Sequence, residues 1–179
     1  MTQTAQTYGE SLYELARDEQ LGEEILTQLQ TVVDLMKENP EYVTLLSLPA
    51  LPKKERCAAL DETFRGQIHP YLLNFLKILT ENGTISQLAG CKDAYCRRYN
   101  EDNGIVEVTA ISAIPLTEAM QEKLCARLGE STGKTIRLST RIDPDILGGI
   151  RLEMNGKRLD GSVRNRLNDM QAALRSMVL

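Results

Sequence analysis

The chain has 179 residues, enough for one domain or two small ones. At 42% hydrophobic and 26% charged residues it has the composition of a soluble globular protein, with a core resting on Leu, Ile, Val and Ala. A net charge of −4 argues against broad nucleic-acid binding, and with no Trp and two Phe any base-stacking platform would fall to the six Tyr.

Residues 1 to about 103 read as helix after helix. In the first, Tyr8, Leu12 and Leu15 make one stripe, and Gly9, Tyr13 and Ala16 a second beside it. Ile25, Leu29, Val32 and Met36 mark the next helix, which starts after Gly22 and stops near Asn39-Pro40. The short apolar segment YVTLLSL lies between Pro40 and Pro49, and LPALP breaks the chain before a helix predicted from about Lys53 to Phe64. His69-Pro70 opens a helix that runs to Asn82-Gly83. Another carries Ile85, Leu88, Cys91, Tyr95 and Tyr99 on one side. Six helices joined by short loops in about a hundred residues predict a small bundle.

The pattern changes at Asn103-Gly104. The β-branched, apolar run IVEVTAISAI reads as a strand ended by Pro115. A helix follows with Met120, Leu124 and Leu128 at i, i+4 and i+8, stopped by Gly129 or Gly133. TIRLSTRI alternates Ile136, Leu138, Thr140 and Ile142 with polar residues, and GIRLEM alternates Ile150, Leu152 and Met154, so both predict half-buried strands. Asn155-Gly156 suits a tight hairpin turn. Ser162 is a good N-cap for a last helix with Val163, Leu167, Met170, Leu174 and Met177 on one seam. The expected fold is mainly α with α+β character: a six-helix bundle over 1–103, then a small domain over 104–179 with a mixed sheet and two helices.

The glycines between 143 and 167 raise the question of a phosphate loop. A Walker loop needs two glycines flanking four residues, followed by Lys and Ser or Thr, and GGIRLEMNGKRLDGS lacks that spacing. A dinucleotide fingerprint lies between strand and helix, whereas Gly148 and Gly149 enter a strand. They read as a bulge or a close backbone approach, with Gly161 letting the chain turn into the last helix. Other chemistry is equally sparse. His69 is the lone histidine and precedes a proline, so it builds neither a triad nor a multi-histidine metal site. Cys57, Cys91, Cys96 and Cys125 match no zinc spacing and read as reduced thiols in helices. Asp143 and Asp145 flank Pro144 and read as turn acids. No enzymatic constellation and no cofactor site are expected. The basic cluster Lys157, Arg158, Arg164 and Arg166 supports one rival reading, a small RNA- or ribosome-associated protein.

Two helices exceed their structural needs. The first bears two apolar stripes, and PYLLNFLKIL places apolar residues nearly all round its axis. A helix of that kind either has a wide core stripe or also faces a partner, such as an amphipathic helix lying in a groove. The residues expected to line such a groove are Tyr8, Leu12, Tyr13, Leu72, Phe75, Leu76 and Leu79.

The segment IDPDILGGIRLEMNGKRLDGSVRNRLNDM resembles the C-terminal signature of the delta subunits of F-type ATP synthases, called the oligomycin-sensitivity-conferring protein in mitochondria. The resemblance is carried by Asp145, Gly148, Gly149, Asp160, Gly161 and Ser162 with the Arg and Leu that follow. YGESLYELARDEQ resembles that family's first helix, and LLNFLKILTENGTISQL its fifth helix and following turn. Gly9, where a small Ala is usual, and Thr84, where many relatives carry a basic residue, are departures. The resemblance implies a non-catalytic stator connector in ATP synthesis and hydrogen-ion transport. Its six-helix domain would bind N-terminal helices of alpha subunits in a groove between helices one and five. Its C-terminal domain would join the C-terminal ends of the b-subunit stalk. No nucleic-acid partner and no cofactor are implied. The early residues show neither a secretory nor a transit pattern, and no apolar run spans a bilayer. The expected location is therefore the cytoplasmic face of a bacterial membrane, held there through the complex.

Overall fold

A computed structural model describes residues 2–144, 146, 148–154 and 157–160. The chain divides into two compact units, Met1–Tyr99 and Asn100–Leu179. It is mainly helical, with one small mixed sheet.

The first unit is built from α1 (Gln3–Asp18), α2 (Gly22–Glu38), α3 (Pro40–Ser47), α4 (Lys53–Phe64), α5 (Pro70–Glu81), a 3-10 turn at Ile85–Gln87 and α6 (Leu88–Asp102). These elements share one apolar core. Its centre includes Ile25, Leu29, Leu46, Leu60, Leu72, Leu76, Leu79 and Tyr95, all fully buried. The α2 stripe turns inward as its spacing predicts. YVTLLSL, the short apolar segment needed to make six helices in the sequence reading, is helix α3: Pro40 supplies its first residue, and the Thr44 and Ser47 hydroxyls donate to Pro40 O at 3.0 Å and Val43 O at 2.8 Å. It is too short to show a helical stripe, and Leu46 is its one fully buried residue.

The second unit holds β1 (Ile105–Ser112), α7 (Glu118–Thr132), β2 (Thr135–Ile142), β3 (Ile150–Met154) and β4 (Lys157–Asp160). The sheet order is β2-β1-β3-β4. β1 and β2 run parallel, while β3 is antiparallel to both β1 and β4. Parallel pairing requires a crossover, which α7 provides, ending at Gly133 in left-handed conformation. Register puts Val106, Val108 and Ala110 on one sheet face beside Ile136, Leu138 and Thr140 of β2; Leu152 and Met154 of β3 share that face. The central strand is the most buried, with Val108, Ala110 and Ile111 at 0–1% exposure. β2 is an edge strand, so Ile136 and Leu138 are half-buried while Thr140 and Ile142, expected to be half-buried too, are exposed. On α7, Leu124 and Leu128 are half-buried but Met120, in the first turn, is exposed.

Strand β4 escaped the sequence reading, which took Lys157 and Arg158 as a basic cluster. It is short, carries one apolar residue and stands last in the strand order among the described residues. The Asn155-Gly156 turn, Asp145, Gly161, Ser162 and the predicted last helix lie outside the described residues, as do Arg164 and Arg166. No helix among the described residues is long and apolar enough to cross a membrane.

Candidate partner-docking site

Helix α1 starts at a capped end: the Thr2 hydroxyl accepts from Ala5 N–H at 3.3 Å and also bonds the Gln87 side chain. Its buried face is Ala5, Gly9, Leu12, Tyr13 and Ala16, a line of small residues around two large ones. The small residues permit close approach to α6. A Cβ built on Gly9 would sit 2.3 Å from Cys91 O and 2.7 Å from Ala94 Cβ. The Tyr13 ring meets Tyr95 and Tyr99 edge-on at centroid distances of 5.4 and 6.3 Å. Tyr95 OH donates to Gly22 O at 2.9 Å, at the start of α2. Burial pushes the Tyr95 phenol well above its ordinary range, and the neighbouring Tyr13 and Tyr99 add to the shift. Burial likewise pushes the Cys91 thiol up to about 11.

Helix α5 begins at His69-Pro70. The proline presets φ at the first helical position, and His69 Nδ1 accepts from Tyr71 N–H at 3.3 Å. The His69 backbone N–H donates to Gln28 Oε1 at 2.6 Å. This histidine is thus a helix cap. At the other end Gly83 takes a φ of 68°, which lets Gly83 N–H reach Thr80 O at 3.2 Å and Thr84 N–H reach Leu79 O at 2.8 Å. Thr84 therefore closes the helix by its backbone and by a hydroxyl that donates to Leu79 O at 3.3 Å.

The two helices touch where Tyr8 meets Phe75 edge-on at 6.5 Å and Asn82 Nδ2 donates to Tyr8 OH at 3.0 Å. Most of the expected groove residues face the opposite way. Leu72, Leu76 and Leu79 are fully buried, Leu12 and Tyr13 nearly so, and Phe75 is 7% exposed. Only Tyr8 is half-exposed. The apolar residues that these helices turn to solvent are Leu15, 42% exposed, and Ile78, 38% exposed, with Tyr71 and Leu73 half-buried. Patterning therefore picked groove residues that lie mostly on the inner faces of α1 and α5. In α1 the inward line runs through Ala5, Gly9 and Ala16, and small residues are a weak hydrophobic signal.

The glycine signature has a backbone role. Gly148 and Gly149 adopt φ of 153° and 87°, values that L side chains rarely take. They lie in the link from β2 to β3. That link is pinned by Asp143 N–H donating to Ser112 O at 3.0 Å and Ile146 N–H donating to Asp143 O at 3.2 Å, with Ile146 buried. Asp143 also pairs with Arg151 at 3.9 Å. Asp160 pairs in register with Arg151 in the β3–β4 ladder. In the basic cluster, Arg158 is held by Glu153 across the hairpin at 3.1 Å. The four cysteines lie on α4, α6 and α7, Cys91 buried and the others half-buried.

These features compare closely with known proteins. Residues 4–174 match the family model described as ATP synthase delta (OSCP) subunit. The chain is 29% identical over 175 residues to an ATP synthase subunit delta of Clostridioides difficile (strain 630), covering 97% of each chain. It is 31% identical over 174 residues to one of Gloeobacter violaceus, covering 96% of this chain and 94% of the relative. Its fold matches a chain in the cryo-EM structure of the Toxoplasma gondii mitochondrial ATP synthase hexamer, with a TM-score of 0.75 at 21% identity, over 97% of this chain and 98% of that one. The RNA-associated reading gains no support from these relatives. The chain belongs to the ATP synthase delta (OSCP) subunit family and is a structural subunit of that complex rather than one of its catalytic chains.

Proposed function

We propose that this subunit links the catalytic head to the peripheral stalk, with its six helices forming the head-binding bundle. The outer faces of α1 and α5 receive an amphipathic N-terminal helix of an alpha subunit, and the second unit engages the C-terminal ends of the b subunits. In that role it holds the head still while the rotor turns. It works as a peripheral protein at the cytoplasmic face of a bacterial membrane, attached through its complex and without a cofactor.

The observation that carries this reading is the two-sidedness of α5. Its inner face supplies Leu72, Leu76 and Leu79 to the core, yet Ile78 remains exposed and Tyr71 and Leu73 are only half-buried. Tyr8 joins this helix to α1, whose Leu15 is also exposed. A docked helix that covered Leu15 and Ile78, 42% and 38% exposed, would gain roughly 0.6–1.2 kcal/mol from each. The neighbouring acids Glu14 and Glu81, both exposed, would set register against basic residues on the partner.

The test is calorimetric titration of the full chain with a synthetic peptide copying the alpha N-terminal helix of the same organism, with a scrambled peptide as control. One-to-one binding is expected. Leu15→Asp and Ile78→Asp each weaken it about tenfold or more, with little change in melting temperature because both sites are surface positions. Undiminished affinity in both folded variants overturns the docking face. Leu76→Asp does not serve, because Leu76 is fully buried and the change acts on the fold.

A further inference from the structure

Arg56 of α4 is buried in the helical unit, with 6% of its surface exposed. Its Nη1 donates twice, to Leu46 O at 3.0 Å and to Thr80 O at 3.1 Å. Both acceptors lie in last turns, of α3 and α5 respectively. Each helix C-terminus carries about half a negative charge, so two of them together offset one guanidinium. The cation is thus held without a carboxylate among its hydrogen-bond partners.

Two polar atoms at this junction have no partner among the described residues: Arg56 Nε and Thr80 Oγ1, the latter on a fully buried side chain. Five other helical threonines of the unit do find a backbone partner. Thr7, Thr27, Thr31, Thr44 and Thr63 each donate to the carbonyl four residues earlier, at 2.9–3.1 Å. An orphaned N–H and an orphaned hydroxyl on two residues already joined by a hydrogen bond have complementary needs. The first requires an acceptor; the second can donate or accept.

We propose that one water molecule is held between Arg56 Nε and Thr80 Oγ1, as a built-in part of the α3–α4–α5 junction. It accepts from Nε–H and exchanges a hydrogen bond with the hydroxyl. Two to four such partners are what a buried water requires. The charge balance selects water over an anion: with the guanidinium already offset by two helix ends, a chloride would leave about one uncompensated buried negative charge.

The test is a high-resolution crystal structure of the full chain grown with bromide replacing chloride, together with melting curves of Thr80→Val. The expected result is a density peak within hydrogen-bond distance of both atoms and without a bromide anomalous signal. Thr80→Val, which keeps the side-chain shape, is expected to lower the melting temperature by about 4 °C or more, because the bound water loses a partner. A bromide peak overturns the assignment in favour of an anion. A Thr80 hydroxyl turned onto Leu76 O with no peak, or a Thr80→Val variant that melts higher than the parent, overturns it in favour of a dry junction. Neither readout involves a partner subunit, so a failure here leaves the stator reading standing.

Discussion

Replacing Gly9 by alanine probes the packing on which α1 depends. The added Cβ would meet Cys91 O at 2.3 Å and Ala94 Cβ at 2.7 Å. Neither neighbour can swing aside, since one is a backbone carbonyl of α6 and the other a Cβ fixed to that backbone. Restoring ordinary contact needs a shift of about 1 Å between the two helices. Such a shift loosens the Tyr13–Tyr95 and Tyr13–Tyr99 ring contacts and the packing of Ala5, Leu12 and Ala16. Overpacking of this kind costs about 1–3 kcal/mol. Better helix propensity returns about 1 kcal/mol, because glycine is the poorer residue in a helix interior. The balance is a destabilisation of up to about 2 kcal/mol, or about 4–8 °C in melting temperature for each kcal/mol in a unit of this size. Gly22→Ala is the control: its Cβ would touch only the Tyr99 ring, at 3.4 Å, so it is expected to be neutral or stabilising. Thermal melts followed by circular dichroism compare the two. If Gly9→Ala melts at or above the parent, α1 does not depend on glycine at its crossing with α6.

The remaining predictions concern the second unit and the effect of alkali. Gly149→Val forces a β-branched residue to a φ of 87°, at a cost of about 1–3 kcal/mol, and is expected to weaken both the second unit and its affinity for peptides copying the C-terminal ends of the b stalk; an unchanged melt and unchanged affinity would remove the glycine from the fold's requirements. The Cys91 thiol is raised from 9.0 to about 11, and Tyr95 is raised as well. Both groups keep their protons in the folded chain at pH values where the unfolded chain has lost them; the Cys91 stabilisation is complete below pH 9 and is lost as pH rises through about 11, and that of Tyr95 starts to decline only above pH 10. Denaturant titrations should show unfolding free energy falling by about 1.4 kcal/mol per pH unit from Cys91 between pH 9 and 11, with Tyr95 steepening the fall above pH 10. In Cys91→Ala one group's slope should disappear, and an unaltered slope would refute its attribution to Cys91.

Helix boundaries in the first unit were legible because punctuation and periodicity agree there. Pro70 opens α5 and Gly83 closes it, Gly22 opens α2, and the Ile25–Leu29–Val32–Met36 stripe is the buried stripe. The strand β1 was legible from its β-branched run, and the sheet's mixed topology from the helix between two strand patterns. What failed has local causes. β4 is a short strand whose partner, rather than its own composition, makes it a strand. The exposed Ile142 looks like the half-buried Ile136, because alternation reports which side of the sheet a residue takes and says nothing of what covers it. The inner and outer faces of α1 and α5 could not be told apart for a similar reason. An apolar helix signals that more than one of its faces is used, and only the position of α6 tells which face of α1 is the inner one.

That distinction changes how the over-apolar helices should be understood. Leu72, Phe75, Leu76 and Leu79 are core residues, and so are Leu12 and Tyr13. On the proposed docking reading they still matter, because they anchor in the core the helices whose outer faces meet the partner. Tyr8 is the bridge between the two layers. Its ring packs on the nearly buried Phe75, while its hydroxyl, on a half-exposed side chain, accepts from Asn82 at the end of α5. A connector under rotary load needs a surface that does not give way, and slow dissociation favours a preformed apolar face over one that must order on binding. Gly9 against α6, the tyrosines around Tyr13, the Gly83 helix end and Arg56 across the ends of α3 and α5 each hold a helix of the proposed docking bundle in place. A substitution at any of them should therefore lower partner affinity without touching the partner. A substitution at Leu15 or Ile78 should lower affinity and leave stability alone, and that contrast separates residues that build the face from residues that meet the partner.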